Sequence, residues 1–172
     1  IASCLVGSEM CIRDRCGHAT LASAHALFEC HGEPGERIDF NYVDGTLAVD
    51  REGDRLVLDF PCVQPTPIAT PQGLADILGQ TPIAVLDAPQ LLVVLESQVA
   101  VAACQPDLKA LAQLPWPAVI ITAKGESVDF VSRNFAPAVG IDEDPVTGSA
   151  HCILTPYWTQ RLGKPELSAY QG

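Results

Sequence analysis

Residues 140–152 read Gly140-Ile141-Asp142-Glu143-Asp144-Pro145-Val146-Thr147-Gly148-Ser149-Ala150-His151-Cys152. Glycine, acidic residues and proline come first, and a mostly apolar run continues to Leu162, where Gly163 and Pro165 follow. This order predicts a turn and then a largely apolar helix over Gly148–Leu162. Pro156 lies inside that helix, where a proline removes a backbone hydrogen bond and costs about 3 kcal/mol. Unpaired N–H groups and the helix dipole at the start of the helix favour a negative ligand.

The first half of the chain contains a similar arrangement. Cys16-Gly17-His18 precedes the stretch Ala19–Cys30, which has apolar or small residues on every face and therefore predicts a buried helix. Alternating apolar residues, separated by Asp-Gly and Glu-Gly-Asp turns, then predict an antiparallel meander. Its three strands are Arg37–Val43, Thr46–Arg51 and Arg55–Phe60. Each half would thus combine antiparallel strands with a buried helix that is entered through a glycine-containing turn.

Residues 61–145 connect these two regions. Four prolines make Pro61–Pro71 the best linker candidate, and residues 133–145 are interpreted as a loop. Between them the pattern predicts two helices, Pro71–Leu78 and Pro106–Gln113, and four strands, Ile83–Leu86, Leu91–Glu96, Ala118–Ala123 and Val128–Ser132. We expect no membrane association, because no apolar stretch approaches the length of a bilayer-spanning helix. The boundary between two halves, 16–65 and 66–172, is predicted at the end of the proline-rich segment.

Both glycine-containing turns put polar groups where a helix begins. His18 and Asp144 form a plausible proton-transfer pair, and Thr147 and Ser149 could donate hydrogen bonds to a carboxylate held at the helix starts. The same residues also have simpler interpretations. His18 could be a capping or packed residue, Asp144 could begin a turn before Pro145, and the two hydroxyls could be N-caps. The spacing alone does not choose between these interpretations.

The composition limits the classes of partner. Lys and Arg number 10 against 21 Asp and Glu, and the net charge of −11 would repel nucleic acid. Seven irregularly spaced cysteines include no CxxC pair, so we expect reduced thiols in a cytoplasmic protein. Cys16 could be a reactive thiol, although packing is the commoner use of cysteine. We expect no metal or other cofactor, because the one conceivable zinc group has no recurring ligand spacing. That group is His25, Cys30, His31 and Cys62.

Residues 1–15 differ in character from the rest of the chain. They contain neither the basic region nor the apolar region of a secretory signal. The stretch Leu5–Arg15 looks like the in-frame translation of a transposon-type sequencing adapter, and Leu5–Asp14 matches that translation without a gap. We therefore expect residues 1–15 to be foreign to the protein and base no expectation about the fold on them.

Two segments of the sequence resemble the signature segments of the phenazine-biosynthesis PhzF family. They are Cys16-Gly17-His18-Ala19-Thr20-Leu21-Ala22 and Phe135-Ala136-Pro137 together with the stretch at 140–152. Their order and separation also fit, so the resemblance covers the chain from Cys16 to its end. It implies an α/β (α+β) fold similar to that of diaminopimelate epimerase. Such a fold has two pseudo-symmetric halves, each a curled, mostly antiparallel sheet around a central helix, with the active site in the cleft between them.

The resemblance also implies roles for individual residues. His18 matches the family's active-site histidine, Asp144 its active-site aspartate and Ser149 its substrate-contacting serine. Gly17 and Gly148 match glycines that expose backbone N–H groups. The implied reaction moves a proton from one carbon to another in a small carboxylate, without metal or nucleotide. The best-known member isomerises a dihydro-hydroxyanthranilate, a small cyclic carboxylate, and a homodimer is common among similar proteins.

The sequence departs from the family pattern before the His18 motif. The family's principal acid/base is a glutamate in that segment, and no residue among 1–15 matches it, Glu9 included. The chain by itself is therefore expected to be inactive, although an intact parent would be active. Two alternatives stay open. A cysteine-dependent racemase or epimerase would use Cys16, but Val146 stands where its second cysteine is needed. A non-catalytic protein of the same fold would bind a small anion.

Overall fold

The computed structural model describes residues 17–42 and 45–172. The chain divides into two compact units, Ile1–Pro61 and Cys62–Gly172. The predicted foreign segment 1–15 and the candidate thiol Cys16 lie outside the described residues. So do Val43 and Asp44 of the first predicted hairpin turn.

The first unit is a three-stranded antiparallel sheet with one helix packed on it. The helix α1 covers Gly17–His25 and continues as a π-helix over Ala26–Cys30. The strands are β1, Arg37–Tyr42, β2, Gly45–Glu52, and β3, Arg55–Asp59, in the order β1-β2-β3. The predicted meander is thus confirmed. Gly53 adopts a φ of 61° in the turn between β2 and β3, which favours glycine there.

The prediction that the helix after Cys16 is buried on every face is wrong. Only Gly17, Ala24 and Phe28 are buried along α1 and its π-helical extension. One face of the helix packs on the sheet, where Ala24 and Phe28 form a small core with Val49. The other faces carry alanine and polar residues. Alanine is tolerated in water and is the best helix former, so an alanine-rich sequence does not require burial on every side.

The second unit is a mixed sheet of seven strands with helices on both faces. Its strands are β4 (Thr66–Ile68), β5 (Ala84–Asp87), β6 (Leu91–Val94), β7 (Val119–Lys124), β8 (Phe130–Ala136), β9 (Ile141–Asp144) and β10 (Ala169–Gln171). Its helices are α2 (Leu74–Leu78), α3 (Gln98–Ala103), α4 (Leu108–Leu111) and α5 (Gly148–Leu162), with a 3-10 turn at Pro137–Val139. The order is β10-β8-β7-β6-β5-β4, and β9 pairs with the other end of β8. Most neighbours are antiparallel; β6–β7 and β8–β10 are parallel.

Several predicted elements of this unit need correction. Residues 133–145 are not a loop, because β8 continues to Ala136 and β9 pairs with it. The proline-rich segment contains β4, which pairs with β5. Helix α3 and strand β10 were not predicted at all. The missed strands are short and depend on a partner elsewhere in the chain, so the local pattern carries little signal for them. The helix Gly148–Leu162 is confirmed at both ends.

Strand β6, in the middle of the sheet, is apolar at every position because both of its faces are covered. All four residues of β6 are buried. Leu91 and Val93 pack in the core beneath α2, α3 and α4, whereas Leu92 and Val94 pack against α5. Successive side chains of a strand point to opposite faces, so a strand covered on both sides is apolar at every position. Within the described residues, none of the helices has the length and apolarity required to traverse a bilayer.

The proline inside α5 has a specific hydrogen-bond partner elsewhere. Pro156 is buried, and it cannot donate the N–H that would normally bond to the carbonyl of Cys152. The N–H of Val63 donates to that carbonyl instead, at 3.0 Å. The carbonyl is therefore satisfied by a segment outside the helix, which removes part of the usual cost of an interior proline. This contact also fixes the segment that leads into β4 against the middle of α5.

Candidate functional site

The turn between β9 and α5 holds the predicted aspartate. Strand β9 ends at Asp144, and Pro145 follows, which has no N–H to continue the ladder. One carboxylate oxygen of Asp144, Oδ1, accepts a hydrogen bond from the N–H of Val146 at 3.2 Å. This contact between residues two positions apart forms an Asx turn, which explains why the chain changes direction here. The half-buried carboxylate is thereby held at the start of α5.

Thr147 holds the second carboxylate oxygen. Its hydroxyl donates to Oδ2 of Asp144 at 2.8 Å, and the residue is 9% exposed. Thr147 occupies the N-cap position of α5, but its side chain makes no capping hydrogen bond. Thr147 is therefore an N-cap by position, but its hydroxyl bonds to Asp144 and not to an N–H of the helix. With one donor on each oxygen, the carboxylate of Asp144 has a defined orientation.

The side chain of Gln171, on β10, holds this turn through three hydrogen bonds. Its amide nitrogen Nε2 donates to the carbonyl of Asp144 at 2.8 Å and to the hydroxyl oxygen of Thr147 at 3.0 Å. Its amide oxygen accepts from the N–H of Thr147 at 3.2 Å. Gln171 was not predicted as part of the site, and no local signal pointed to it, since it lies 24 residues further along the chain.

The neighbouring acidic residue has a different environment. Glu143 forms a bidentate ion pair with Arg133, with N–O distances of 2.7 and 2.8 Å. Arg133 also donates to the carbonyls of Val101 and Cys104 at the end of α3. The hydrogen bond to Glu143 raises the pKa of the Arg133 guanidinium. Successive side chains of β9 point to opposite faces of the sheet. Arg133 therefore pairs with Glu143, whereas Asp144 is held by the hydrogen bonds of the turn.

Ser149 is the second residue of α5 and is connected to the sheet by two amides. Its Oγ accepts from Nε2 of Gln90 at 2.9 Å, and Gln90 lies in the turn between β5 and β6. Oε1 of Gln90 accepts from Nδ2 of Asn134 at 3.2 Å. Asn134 lies on β8 directly opposite Asp144 on β9, beside an irregularity in the β8–β9 pairing. Gln90 and Asn134 were not predicted, because the contacts from Asn134 to Gln90 and from Gln90 to Ser149 form only in the folded sheet.

The start of α5 thus brings together the carboxylate of Asp144, the hydroxyl of Ser149 and the first N–H groups of the helix. The first N–H groups of a helix have no partner within the helix, and the dipole is positive at this end. Gly148 is the first helical residue, followed by Ser149. Four of the predicted residues, Asp144, Thr147, Gly148 and Ser149, therefore lie at one helix start, as the turn signal before the helix predicted.

The predicted residues of the first unit lie at the start of α1. Gly17 is buried, and a Cβ atom on it would come within 2.8 Å of the Phe60 ring and 3.2 Å of Leu58. Glycine allows the helix to begin this close to the end of β3 without displacing the Phe60 ring. His18 is the next residue and its side chain is exposed. His18 belongs to the first unit and Asp144 to the second, and the convergence of these two side chains stays a prediction.

Four cysteines lie within the described residues. Cys30, Cys62 and Cys104 are free thiols, and Cys104 and Cys152 are buried. Burial raises the pKa of the Cys104 thiol, whose Sγ donates to the carbonyl of Leu78. Between 17 and 42 and from 45 onward, no group of three His, Cys, Asp or Glu side chains could hold a metal ion.

Comparison with known proteins identifies related chains. A family model described as phenazine biosynthesis-like protein (PhzC-PhzF) matches residues 8–172. The match begins inside the segment 1–15, and the foreign origin of that segment stays a prediction. An uncharacterized isomerase of Pseudomonas aeruginosa is 59% identical over 157 residues, which are 91% of this chain and 60% of that protein.

Two solved structures share the fold. A PhzF-family phenazine biosynthesis protein from Enterococcus faecalis is 43% identical with a TM-score of 0.86, and a putative PhzC/PhzF protein from Clostridium difficile is 40% identical with a TM-score of 0.83. Each comparison covers 92% of this chain and 61% of the other. The α/β fold of the diaminopimelate epimerase type is therefore confirmed. The chain spans about three fifths of the length of these relatives.

Proposed function

The chain belongs to the phenazine biosynthesis-like PhzC-PhzF family, and on that premise we propose that its intact parent is an isomerase. The proposed reaction moves a proton between two carbon atoms of a small carboxylate substrate. The single observation that carries the proposal is the environment of Asp144. Its carboxylate is oriented by two donors, while the guanidinium of Arg133 pairs with Glu143 instead.

A carboxylate in this state is suited to proton transfer. A direct ion pair with arginine would stabilise the charged form of Asp144 and make it a weaker base. The hydroxyl of Thr147 and the N–H of Val146 orient the group without adding a full positive charge. General acid–base catalysis needs such a positioned group within reach of the substrate, and it contributes about 10²- to 10⁴-fold.

The substrate carboxylate would bind at the start of α5. The N–H groups of the first helical residues after Thr147 and the hydroxyl of Ser149 would hold it there, close to Asp144. Local attraction of this kind matters because the chain as a whole has a charge of −11. His18, in the first turn of α1, would supply the second proton-transfer group. Neither role requires a metal or a nucleotide.

The chain by itself is proposed to lack activity. The family's principal acid/base glutamate, implied by the resemblance, has no counterpart in residues 1–15. A thiol mechanism is less well supported, because Val146, 70% exposed in the turn, occupies the place of the second thiol. The alternative function is that of a non-catalytic protein, in which the parent binds a small carboxylate and does not convert it.

Solvent-deuterium exchange tests the proposal. A parent protein that contains residues 16–172 within a full-length family sequence would be incubated in D₂O with a dihydro-hydroxyanthranilate, and deuterium incorporation followed by NMR. Asp144→Asn and His18→Ala are expected to lower incorporation by about 100-fold or more, because each removes a proton-transfer group. Asp142→Asn, on the same strand and exposed, makes the same charge change and is expected to stay within about twofold of the parent.

Three results are informative. Parent-like incorporation in a folded Asp144→Asn protein would contradict the assigned role of Asp144. Tight binding of anthranilate by a parent that catalyses no exchange would favour a non-catalytic binding protein. Activity in the 172-residue chain alone would overturn the proposal that this chain lacks an essential acid/base.

A further inference from the structure

Three polar side chains form a row from the interior of the sheet to the start of α5. Asn134 is 2% exposed on β8, Gln90 is half-buried in the turn before β6, and Ser149 is half-buried on α5. The two hydrogen bonds between them measure 3.2 and 2.9 Å. Asn134 and Gln90 have no role in the proton transfer proposed above.

The direction of these hydrogen bonds follows from the chemistry of the amides. An amide nitrogen only donates and an amide oxygen only accepts. Nδ2 of Asn134 donates to Oε1 of Gln90, so the other end of the Gln90 amide, its NH₂ group, faces Ser149. The hydroxyl of Ser149 therefore accepts from Gln90, and its own proton is left to donate elsewhere.

Packing alone does not account for this row. Asn134 lies opposite Ile120 of β7 in a covered sheet, and its Oδ1 is a buried atom without a hydrogen-bond partner among the described residues. Leaving a buried carbonyl unpaired is unfavourable for folding. An apolar residue at this position would avoid the penalty, as Phe130 does on the same face of β8. The amide at position 134 is thus explained by the bond that it donates to Gln90.

We infer that Gln90, held by Asn134, is a positioning residue that sets Ser149 as a hydrogen-bond donor to the substrate carboxylate. The inference rests on the proposed function, because it assigns a direction to one contact of the proposed anion site. Gln90 touches Ser149 and not the substrate. It acts by determining which way the hydroxyl proton points.

Gln90→Glu tests this inference, because it keeps the shape of the side chain and replaces the donor by an acceptor. The Ser149 hydroxyl would then donate to the introduced carboxylate, and its proton would be lost to the ligand. In the full-length parent, the Kd for anthranilate is expected to rise at least tenfold in Gln90→Glu and about threefold in Gln90→Met, which has no donor or acceptor of comparable strength. KM should rise more than kcat falls. Gln160→Glu, exposed on the last turn of α5, is the charge-matched control.

A double-substitution cycle separates hydroxyl direction from simple charge repulsion. In the Ser149→Ala background, Gln90→Glu is expected to change the Kd less than about twofold, since no hydroxyl remains to be turned. A tenfold effect that persists in that background would overturn the inference and leave repulsion as the cause. If Ser149→Ala weakens binding but Gln90→Glu does not, the anion site stands and the role of Gln90 is refuted. If neither changes the Kd and Asp144→Asn keeps full exchange, the proposed function itself has failed.

Discussion

The starts of α1 and α5 are held by different forces. At α5, side chains from three strands or turns fix the backbone and the polar groups through hydrogen bonds: Gln171, Gln90 and Arg133 each contribute. At α1, Gly17 lets the helix begin in van der Waals contact with Phe60. Hydrogen-bond directions help to specify the start of α5, and the missing Cβ of Gly17 helps to specify the start of α1. Polar substitutions are therefore tested first around α5, and an added methyl group is tested at the start of α1.

Arg133→Met is expected to have the largest effect on stability. It leaves Glu143 without its partner and removes the donor to the carbonyls of Val101 and Cys104. Removing one side of this partly buried ion pair together with the donor to two carbonyls is expected to lower the free energy of unfolding by about 3 kcal/mol. Both tryptophans, Trp116 and Trp158, lie in the second unit, so urea unfolding followed by tryptophan fluorescence reports on that unit.

The matched control is Arg37→Met in the first unit. Arg37 bonds Asp39 and Asp50 on the surface of the β1–β2 pair, and both members of its pair with Asp39 are more than half exposed. Solvent and salt screen such pairs, so little change is expected. The first unit has no tryptophan, so Arg37→Met is followed by amide hydrogen exchange of β1 and β2. An equal loss of stability in both variants would remove the distinction between the two units.

Val63→Pro is expected to have the next largest effect. It removes the N–H that satisfies the Cys152 carbonyl, which Pro156 leaves without a helical donor. A buried acceptor left unpaired costs about 2 kcal/mol. In a Pro156→Ala background the helix supplies its own N–H, so the same substitution should cost clearly less. Equal costs in the two backgrounds, measured by urea unfolding, would show that Val63 does not compensate for the proline.

Gly17→Ala should affect the first unit and leave the second unchanged. The added methyl group meets the Phe60 ring at 2.8 Å, and moving the ring costs about 1 kcal/mol. Amide hydrogen exchange of α1 and β3 should become faster, while tryptophan fluorescence should show the parent transition. Phe60→Leu opens space, so the double variant should lose less than the sum of the two. Strict additivity would mean that the contact is unimportant.

The smallest effect expected is a pH dependence at the far end of α5. A hydrogen bond from Lys164, with further ones from Ser168, lowers the pKa of the Asp129 carboxyl. Because the folded state lowers this pKa, the contribution to stability is present above about pH 4, the unfolded value, and is lost as the pH falls through the folded value. The stability difference between the parent and Asp129→Asn should therefore be constant near neutrality and shrink in acid. A difference that grows in acid would contradict the sign.

Patterns formed by residues close together in the sequence predicted much of the secondary structure. The alternation from Arg37 to Phe60 predicted the meander, and the glycine after Leu162 predicted the end of α5, where Gly163 adopts a φ of 64°. The proline-containing turn placed Asp144, Thr147 and Ser149 at one helix start. The alanine-rich composition of α1 predicted burial on every face, which is wrong, because composition does not tell which face of a helix packs on a sheet.

What the sequence by itself determined are features set by neighbours: the hairpins, the bounds of α5, the polar turn before it and the family signature segments. Only the tertiary structure decided which acidic residue of β9 is neutralised, why Pro156 is tolerated and which amide faces Ser149. Each of these depends on a hydrogen bond between residues that are distant in the chain, such as Gln90 and Ser149, 59 positions apart. A hydrogen bond forms only over about 3 Å and in one direction, so its partners are known only once the sheet has brought them together.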